Sequence, residues 1–203
     1  MKIAIIESGG ANFLSVTAAL EHLDVECQVT HDANTIRSTD AVILPGVGSA
    51  GFAMQVLKDF ELCSVIRDLK QPVLGICLGM QLLYEHSAED DVDCLGIIPG
   101  RIEKFSGENL IVPHMGWNNL TKCQTDPIMA DINDTDDVYF VHSYYAAIDS
   151  ATIASCNYGC GFSAIVKHKN FYGMQFHPEK SGEIGAKLLT NFIGIANANL
   201  SSN

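Results

Sequence analysis

A cysteine stands between two glycines in Gly75-Ile76-Cys77-Leu78-Gly79-Met80-Gln81, directly after the apolar run Pro72-Val73-Leu74. This order narrows the fold more than any other stretch of the chain. The spacing predicts a strand over residues 72–76, a tight turn at Cys77, and a helix from Leu78 to about residue 86. Glycines on both sides let the turn adopt strained dihedrals and let neighbouring backbone come close. A strand that turns back at once as a helix is the building unit of a parallel sheet covered by helices. The same turn lifts a thiol to the sheet's edge beside the free N–H groups and positive dipole end of the helix, which favours a thiolate. Taken alone, the motif fits a reactive nucleophile or a buried structural cysteine.

The rest of the first half alternates in the same way. Lys2–Ile6 is predicted as a buried strand ending in Ser8-Gly9-Gly10, and Phe13, Val16, Leu20 and Leu23 recur at helical spacing. A short strand is expected near residues 27–29 and another at Ala41-Val42-Ile43-Leu44, broken by Pro45-Gly46-Val47-Gly48. A helix over 54–69 would bury Leu62, Val65, Ile66 and Leu69. The second half reads as β-rich, with strands at 111–112, 139–144, 153–155, 163–168 and 171–176 and a hairpin turn at Lys169-Asn170. A last helix over 183–196 carries Ile184, Leu188, Phe192 and Ile195 on its buried face. No repeat, low-complexity segment or linker interrupts the 203 residues, so one domain over 1–203 is expected. The fold class is α/β, with a mostly parallel central sheet, helices on both faces and a β-rich C-terminal half. In such sheets sites form beyond the carboxyl ends of the strands. Cys77, Pro45–Gly48 and the turn after Ile6 should therefore share one rim.

A second motif about a hundred residues downstream adds chemistry: Gln175-Phe176-His177-Pro178-Glu179-Lys180-Ser181. Proline restricts the residue before it to extended geometry, so His177 and Glu179 are expected to project to one side. A histidine serves as base for a thiol, and a carboxylate orients the ring and stabilises its charged form. A lone H-P-E would read as a surface turn; with the cysteine turn it completes a set for acyl transfer. Cys77 would attack a carbonyl, and His177 would protonate the leaving amine and then activate water. The Leu78 N–H is a natural oxyanion donor, and the Gly46-Val47-Gly48 loop is a candidate for the second. Losing one such donor costs about 3–4 kcal/mol of transition-state stabilisation.

Composition excludes several classes. The formal net charge of −12 argues against nucleic acid or an anionic membrane as partner. The runs Glu89-Asp90-Asp91-Val92-Asp93 and Asp134-Thr135-Asp136-Asp137 read as solvated loops. Seven cysteines without a CxxC pair make no metal framework, so neither a metal nor a cofactor is expected. The N-terminal apolar run is too short for a signal peptide, and no stretch reaches membrane-spanning length. A cytoplasmic, reducing setting follows as the expectation, since there a free thiol persists.

The elbow with its distant H-P-E resembles the class I (triad) glutamine amidotransferases, which hydrolyse glutamine and pass ammonia to a synthase. Four further blocks are similar to the glutaminase subunits of imidazole glycerol phosphate synthases: Gly96-Ile97-Ile98-Pro99-Gly100, Pro113-His114-Met115-Gly116-Trp117-Asn118, Tyr139-Phe140-Val141-His142-Ser143-Tyr144-Tyr145 and His177-Pro178-Glu179-Lys180-Ser181. The resemblance runs from Ile3 to Phe192, and the P-H-M-G-W-N block is its most specific part. It implies a flavodoxin-like amidotransferase fold, Cys77, His177 and Glu179 as the triad, and L-glutamine held by Gly48, Gln81, Glu89, Ser143 and Tyr144. Glu89 is placed there by ungapped spacing from Cys77. It also implies a (β/α)8-barrel cyclase as partner in a heterodimer, converting a phosphoribulosyl aminoimidazole carboxamide nucleotide with ammonia. The products are imidazole glycerol phosphate, for histidine synthesis, and an aminoimidazole carboxamide ribonucleotide.

By the same resemblance Asn12, Trp117, Tyr139 and Lys180 would face the cyclase. The residues alone leave Trp117, the single tryptophan, open to a core position and Lys180 open to plain solvation. One departure is visible: the family's tyrosine-glycine-x-glycine-asparagine turn reads Ser8-Gly9-Gly10-Ala11-Asn12 here, keeping Asn12 and replacing the second glycine by Ala11. Competing readings are an amidotransferase for another synthase, a cysteine peptidase on a related scaffold, and a binding module without activity.

Overall fold

The computed structural model describes residues 1–8 and 13–201. Most of the expected turn after β1, including Asn12, lies outside the described residues. In chain order the strands are β1 (Lys2–Ile6), β2 (Glu26–Thr30), β3 (Ala41–Gly46), β4 (Val73–Cys77), β5 (Tyr84–Ser87), β6 (Val92–Asp93), β7 (Ile98–Lys104), β8 (His114–Asn119), β9 (Thr121–Lys122), β10 (Asp137–His142), β11 (Tyr144–Ala146), β12 (Thr152–Tyr158), β13 (Cys160–His168) and β14 (Phe171–Met174). The helices are α1 (Phe13–Glu21), α2 (Ala33–Ser38), α3 (Ala50–Asp59), α4 (Leu62–Asp68), α5 (Leu78–Gln81) and α6 (Gly182–Leu200).

An eight-stranded sheet runs β2-β1-β3-β4-β14-β13-β12-β9. The pairs from β2 through β14 are parallel, and those from β14 to β9 are antiparallel. Every residue of β3 and β4 is buried, as continuous apolar runs covered on both faces must be. Alternate side chains of β1 divide between two cores. Ile3 and Ile5 join Val16 and Leu20 of α1 and Leu188 and Phe192 of α6. Ala4 and Ile6 join Ile36 of α2, Met54 and Leu57 of α3, and Val65 and Ile66 of α4. Helices thus cover both faces, as the alternation predicts. A four-stranded sheet, β11-β7-β5-β6, and the ribbon β10-β8 supply the β-rich second half.

Several expected bounds differ. The helix expected over 54–69 is two helices, because Phe60 and Glu61 turn the chain and Glu61 takes a left-handed φ of 55°. The helix after Cys77 ends at Gln81 rather than near 86. The carbonyls of Leu82, Leu83 and Tyr84 accept from Leu95, Gly96, Ile97 and Ile98, which pulls the chain into β5. Residues 111–112 are no strand; β8 begins at His114, after Pro113. The single strand expected over 139–144 is split at Ser143, where the chain leaves the ribbon with β8 and joins β7 as β11. Helix α2 was not anticipated; Asp32 caps it, accepting from Thr35 N at 2.7 Å.

Candidate active site

Cys77 ends β4 with φ 53° and ψ −110°, a backbone conformation an L-residue adopts only under constraint. The constraint is the packing of α5 onto β3. A Cβ on Gly79 would lie 1.8 Å from the carbonyl oxygen of Leu44, so only glycine lets the turn sit this low on the sheet. Gly46 of β3 pairs in register with Cys77, which brings the Pro45–Gly48 loop beside the thiol. Ser8, after β1, donates from its hydroxyl to the Pro45 carbonyl at 2.6 Å, tying a third strand end to that loop. Cys77, the Pro45–Gly48 loop and Ser8 thus share one rim, as the topology predicts.

His177 arrives from the end of β14. Its N–H donates to the Tyr139 carbonyl at 2.9 Å, and the Ser181 hydroxyl accepts from the Tyr139 N–H at 2.9 Å. These bonds pin the histidine segment to β10. The ring bonds through Nδ1 to Glu179 Oε1 at 2.8 Å, and the Glu179 side chain is fully buried. That leaves Nε2 for Cys77, to which the ring is also hydrogen bonded. Burial alone would lower the histidine's pKa, but its bonds to Cys77 and Glu179 outweigh burial and carry it up to about 9. The ring therefore keeps its proton at neutral pH. The one-turn α5 has a small dipole, so the charge facing the sulfur comes mainly from His177 rather than from the long helix the sequence suggested.

A cavity of about 340 Å³ opens over Cys77. Gly46, Val47, Gly48, Leu78 and Gln81 line it together with Glu89, Ser143, Tyr144 and His177, while Glu179 stands behind the histidine. Every sequence-expected catalytic and substrate-facing residue is thus gathered at one place. Glu89 also accepts from the Ala50 N–H at 3.0 Å; burial raises its pKa, that bond lowers it, and Asp90 raises it further. Gln81 donates from Nε2 to the Tyr144 carbonyl at 2.9 Å and to Gln175 Oε1 at 3.0 Å, so its amide braces the site as well as lining it.

Sequence reasoning gave no role to Gln175, His142 or His114. Gln175 Nε2 lies 3.9 Å from the Cys77 sulfur. His142 donates from Nδ1 to the Tyr144 carbonyl at 2.7 Å, and its Nε2 meets His114 Nδ1 at 3.0 Å. Burial drives the His142 pKa down to about 3; the Tyr144 bond raises it, and His114 and His177 lower it. Burial holds His114 at about 4. Both rings are therefore neutral donor–acceptor links, with His114 Nε2 accepting from Asn118 Nδ2 at 3.4 Å. Their presence in the P-H-M-G-W-N and F-V-H-S-Y blocks was the available signal.

On the outer face of the β8–β10 ribbon, Trp117 is 58% exposed and meets Tyr139 edge-on, with ring centroids 5.9 Å apart. Met115 beside it is 62% exposed. Trp117 is therefore not a core aromatic. Lys180 is exposed, one residue from Glu179. Among the described residues no helix is long and apolar enough to cross a membrane, and no group of three histidines, cysteines or carboxylates is placed to hold a metal.

The family described as glutamine amidotransferase class-I matches residues 4–195. A curated relative named imidazole glycerol phosphate synthase subunit HisH 2, from Legionella pneumophila (strain Lens), is 51% identical over 194 residues, 95% of this chain and 98% of that protein. Imidazole glycerol phosphate synthase subunit HisH from Idiomarina loihiensis is 47% identical over 195 residues, 95% of this chain and 97% of the relative. Among solved structures, a chain of PurLQS from Thermotoga maritima superposes with a TM-score of 0.69 at 18% identity, covering 95% of this chain and 97% of its own. That likeness concerns the fold.

Proposed function

Because the chain belongs to the class-I glutamine amidotransferases, and within them to the HisH subunits of imidazole glycerol phosphate synthase, we propose that Cys77, His177 and Glu179 hydrolyse L-glutamine in the cavity over β4. The observation that carries this reading is the strained cysteine in a cavity shared with a buried histidine, whose Nδ1 bonds Glu179 at 2.8 Å. The thiolate attacks the side-chain carboxamide carbon, and the oxygen takes the negative charge. The Leu78 N–H and an N–H of the Gly46–Gly48 loop stabilise that oxygen. His177 gives its proton to the nitrogen, ammonia leaves, and a γ-glutamyl thioester remains on Cys77. A water then loses its proton to His177 and attacks the thioester, releasing glutamate and restoring the thiolate–imidazolium pair.

A cavity of about 340 Å³ suits a free amino acid. Glu89, Ser143 and Tyr144 line the cavity; in this reading Glu89 pairs with the substrate ammonium, and Ser143 and Tyr144 hold its main-chain end. The whole chain, 1–203, acts as one amidotransferase domain in the cytoplasm. The ammonia passes to a (β/α)8-barrel cyclase, which makes imidazole glycerol phosphate and an aminoimidazole carboxamide ribonucleotide. The exposed Met115 and Trp117, with the half-buried Tyr139 and the exposed Lys180, form the docking face, since exposed aromatics and methionine mark interfaces. Asn12, outside the described residues, is proposed as a cyclase contact on the resemblance alone.

The test is glutamate release from glutamine by the chain alone and with the cyclase and its nucleotide ligand, Cys77→Ala serving as blank. Cysteine-dependent release that rises with the liganded cyclase is the expected result. No response to the cyclase would remove that partner, and no cysteine-dependent release would remove the hydrolysis itself.

A further inference from the structure

The loop expected to supply an oxyanion donor, Gly46–Gly48, leads through Ser49 into the N-terminus of the ten-residue helix α3. Ser49 occupies the cap position there but makes no side-chain cap bond. The first two helical N–H groups go elsewhere. Ala50 N–H donates to Glu89 at 3.0 Å and Gly51 N–H donates to Asp90 Oδ2 at 3.0 Å, across 39 residues of chain in both cases. Both carboxylates come from the four-residue tip joining β5 to β6. Asp90 and Asp91 there have φ values of 60° and 48°, both in the left-handed region. Gly51 makes room for the contact: a Cβ on it would meet Asp90 Oδ2 at 2.9 Å and Asp90 Cβ at 3.0 Å. Helix start, hairpin tip and glycine are fitted to one another, while the ordinary local cap goes unused.

We propose that Asp90 is a positioning residue for glutamine hydrolysis, its carboxylate latching the start of α3 and so holding the Gly46–Gly48 loop at the distance from Cys77 that an oxyanion donor requires. This rests on the reading of that loop as part of the oxyanion hole. One hairpin tip then does two things: Glu89 lines the cavity, and its neighbour Asp90 holds the start of the helix that follows the loop. Asp90 touches no reacting atom. It acts through Gly51 and the loop, so its loss should lower turnover and leave glutamine affinity nearly unchanged.

The experiment compares the parent, D90A, D90N, G51A and the D90A/G51A double variant, each with the cyclase and its nucleotide ligand, reading kcat and KM for glutamine and the rate at which iodoacetamide alkylates Cys77. Displacing an oxyanion donor forfeits part of the hundredfold or more that removing it costs, so D90A and G51A should each lose roughly tenfold in kcat. KM and alkylation rate should stay within about twofold, since neither depends on that donor. D90N, whose amide oxygen can still accept, should recover most of the loss. The double variant should be no worse than the poorer single one, because both break one contact. A kcat for D90A and G51A within twofold of the parent, with Cys77-dependent hydrolysis intact, would overturn the latch and leave the active-site reading standing. So would losses accompanied by equal changes in alkylation, which would mean general damage. Absence of Cys77-dependent hydrolysis in the parent would overturn both.

Discussion

Replacing Gly79 by alanine puts one methyl group where the structure has least room. The added Cβ would stand 1.8 Å from the Leu44 carbonyl oxygen and 2.8 Å from its carbon. Both atoms belong to the backbone of β3, which is buried throughout and paired on each side, so they cannot swing away as a flexible side chain would. Helix α5 must instead lift by more than 1 Å to reach ordinary contact distance. That helix begins at Leu78, whose N–H is the first proposed oxyanion donor, and it follows directly on Cys77. A misplacement of about 1 Å at a reacting centre costs on the order of a hundredfold in rate. Overpacking of this kind destabilises by about 1–3 kcal/mol, which for a chain of this size lowers the melting temperature by roughly 2–12 °C. Glutamate release with the liganded cyclase and a thermal melt of the isolated chain measure the two effects. G79A hydrolysing glutamine within tenfold of the parent, with an unchanged melting temperature, would refute the argument that close approach of α5 to β3 sets the site.

Gly194 is the opposite case. It lies inside α6 with open space where its Cβ would be, so G194A should raise stability by about 0.4–1 kcal/mol and leave hydrolysis alone, as a melt and the same assay would show. The pH dependence of unfolding should carry three histidine signatures. His114 and His142 are held at about 4 and about 3, below the ordinary value of 6.5, so their contribution is complete above pH 6.5. It is lost as the unfolded chain binds protons the native state refuses, at about 1.4 kcal/mol per histidine per pH unit. His177, raised to about 9, contributes fully below pH 6.5 and loses that contribution as pH climbs to 9. Urea unfolding from pH 4 to 9 should therefore peak near 6.5, and a flat profile from 6.5 to 5 would contradict the buried neutral pair. Trp117→Ala should weaken cyclase binding about thirtyfold by calorimetry, the roughly 2 kcal/mol expected of an exposed tryptophan anchor.

The meeting of Cys77, His177 and Glu179 and the loop beside them was legible because short-range constraints fix their turns. Glycine next to a strand-end cysteine and proline between histidine and glutamate leave few backbone choices. The central strands were legible because doubly covered strands must be continuously apolar. What escaped the sequence depends on distant partners. Nothing at Phe60-Glu61 marks a break, since no glycine or proline stands there; tertiary packing of α3 and α4 decides it. The shortness of α5 comes from backbone donors at 95–98, more than ten residues away. The run Glu89-Asp90-Asp91 has the composition of a solvated loop, yet two of its carboxylates seat on the start of α3. The exposure of Trp117 depends on which face β8 turns outward, and a single aromatic in a glycine-containing segment carries no periodicity to settle that.

The central claim is that Cys77 becomes covalently acylated by glutamine. Acid quenching of the chain during turnover with glutamine and the liganded cyclase, followed by mass spectrometry of the peptide containing Cys77, measures it directly. A γ-glutamyl adduct on Cys77 during turnover, absent from Cys77→Ala and from a His177 replacement that cannot protonate the leaving nitrogen, is the predicted result. Continued glutamate release with no adduct on Cys77, or an adduct on one of the other six cysteines, would contradict it.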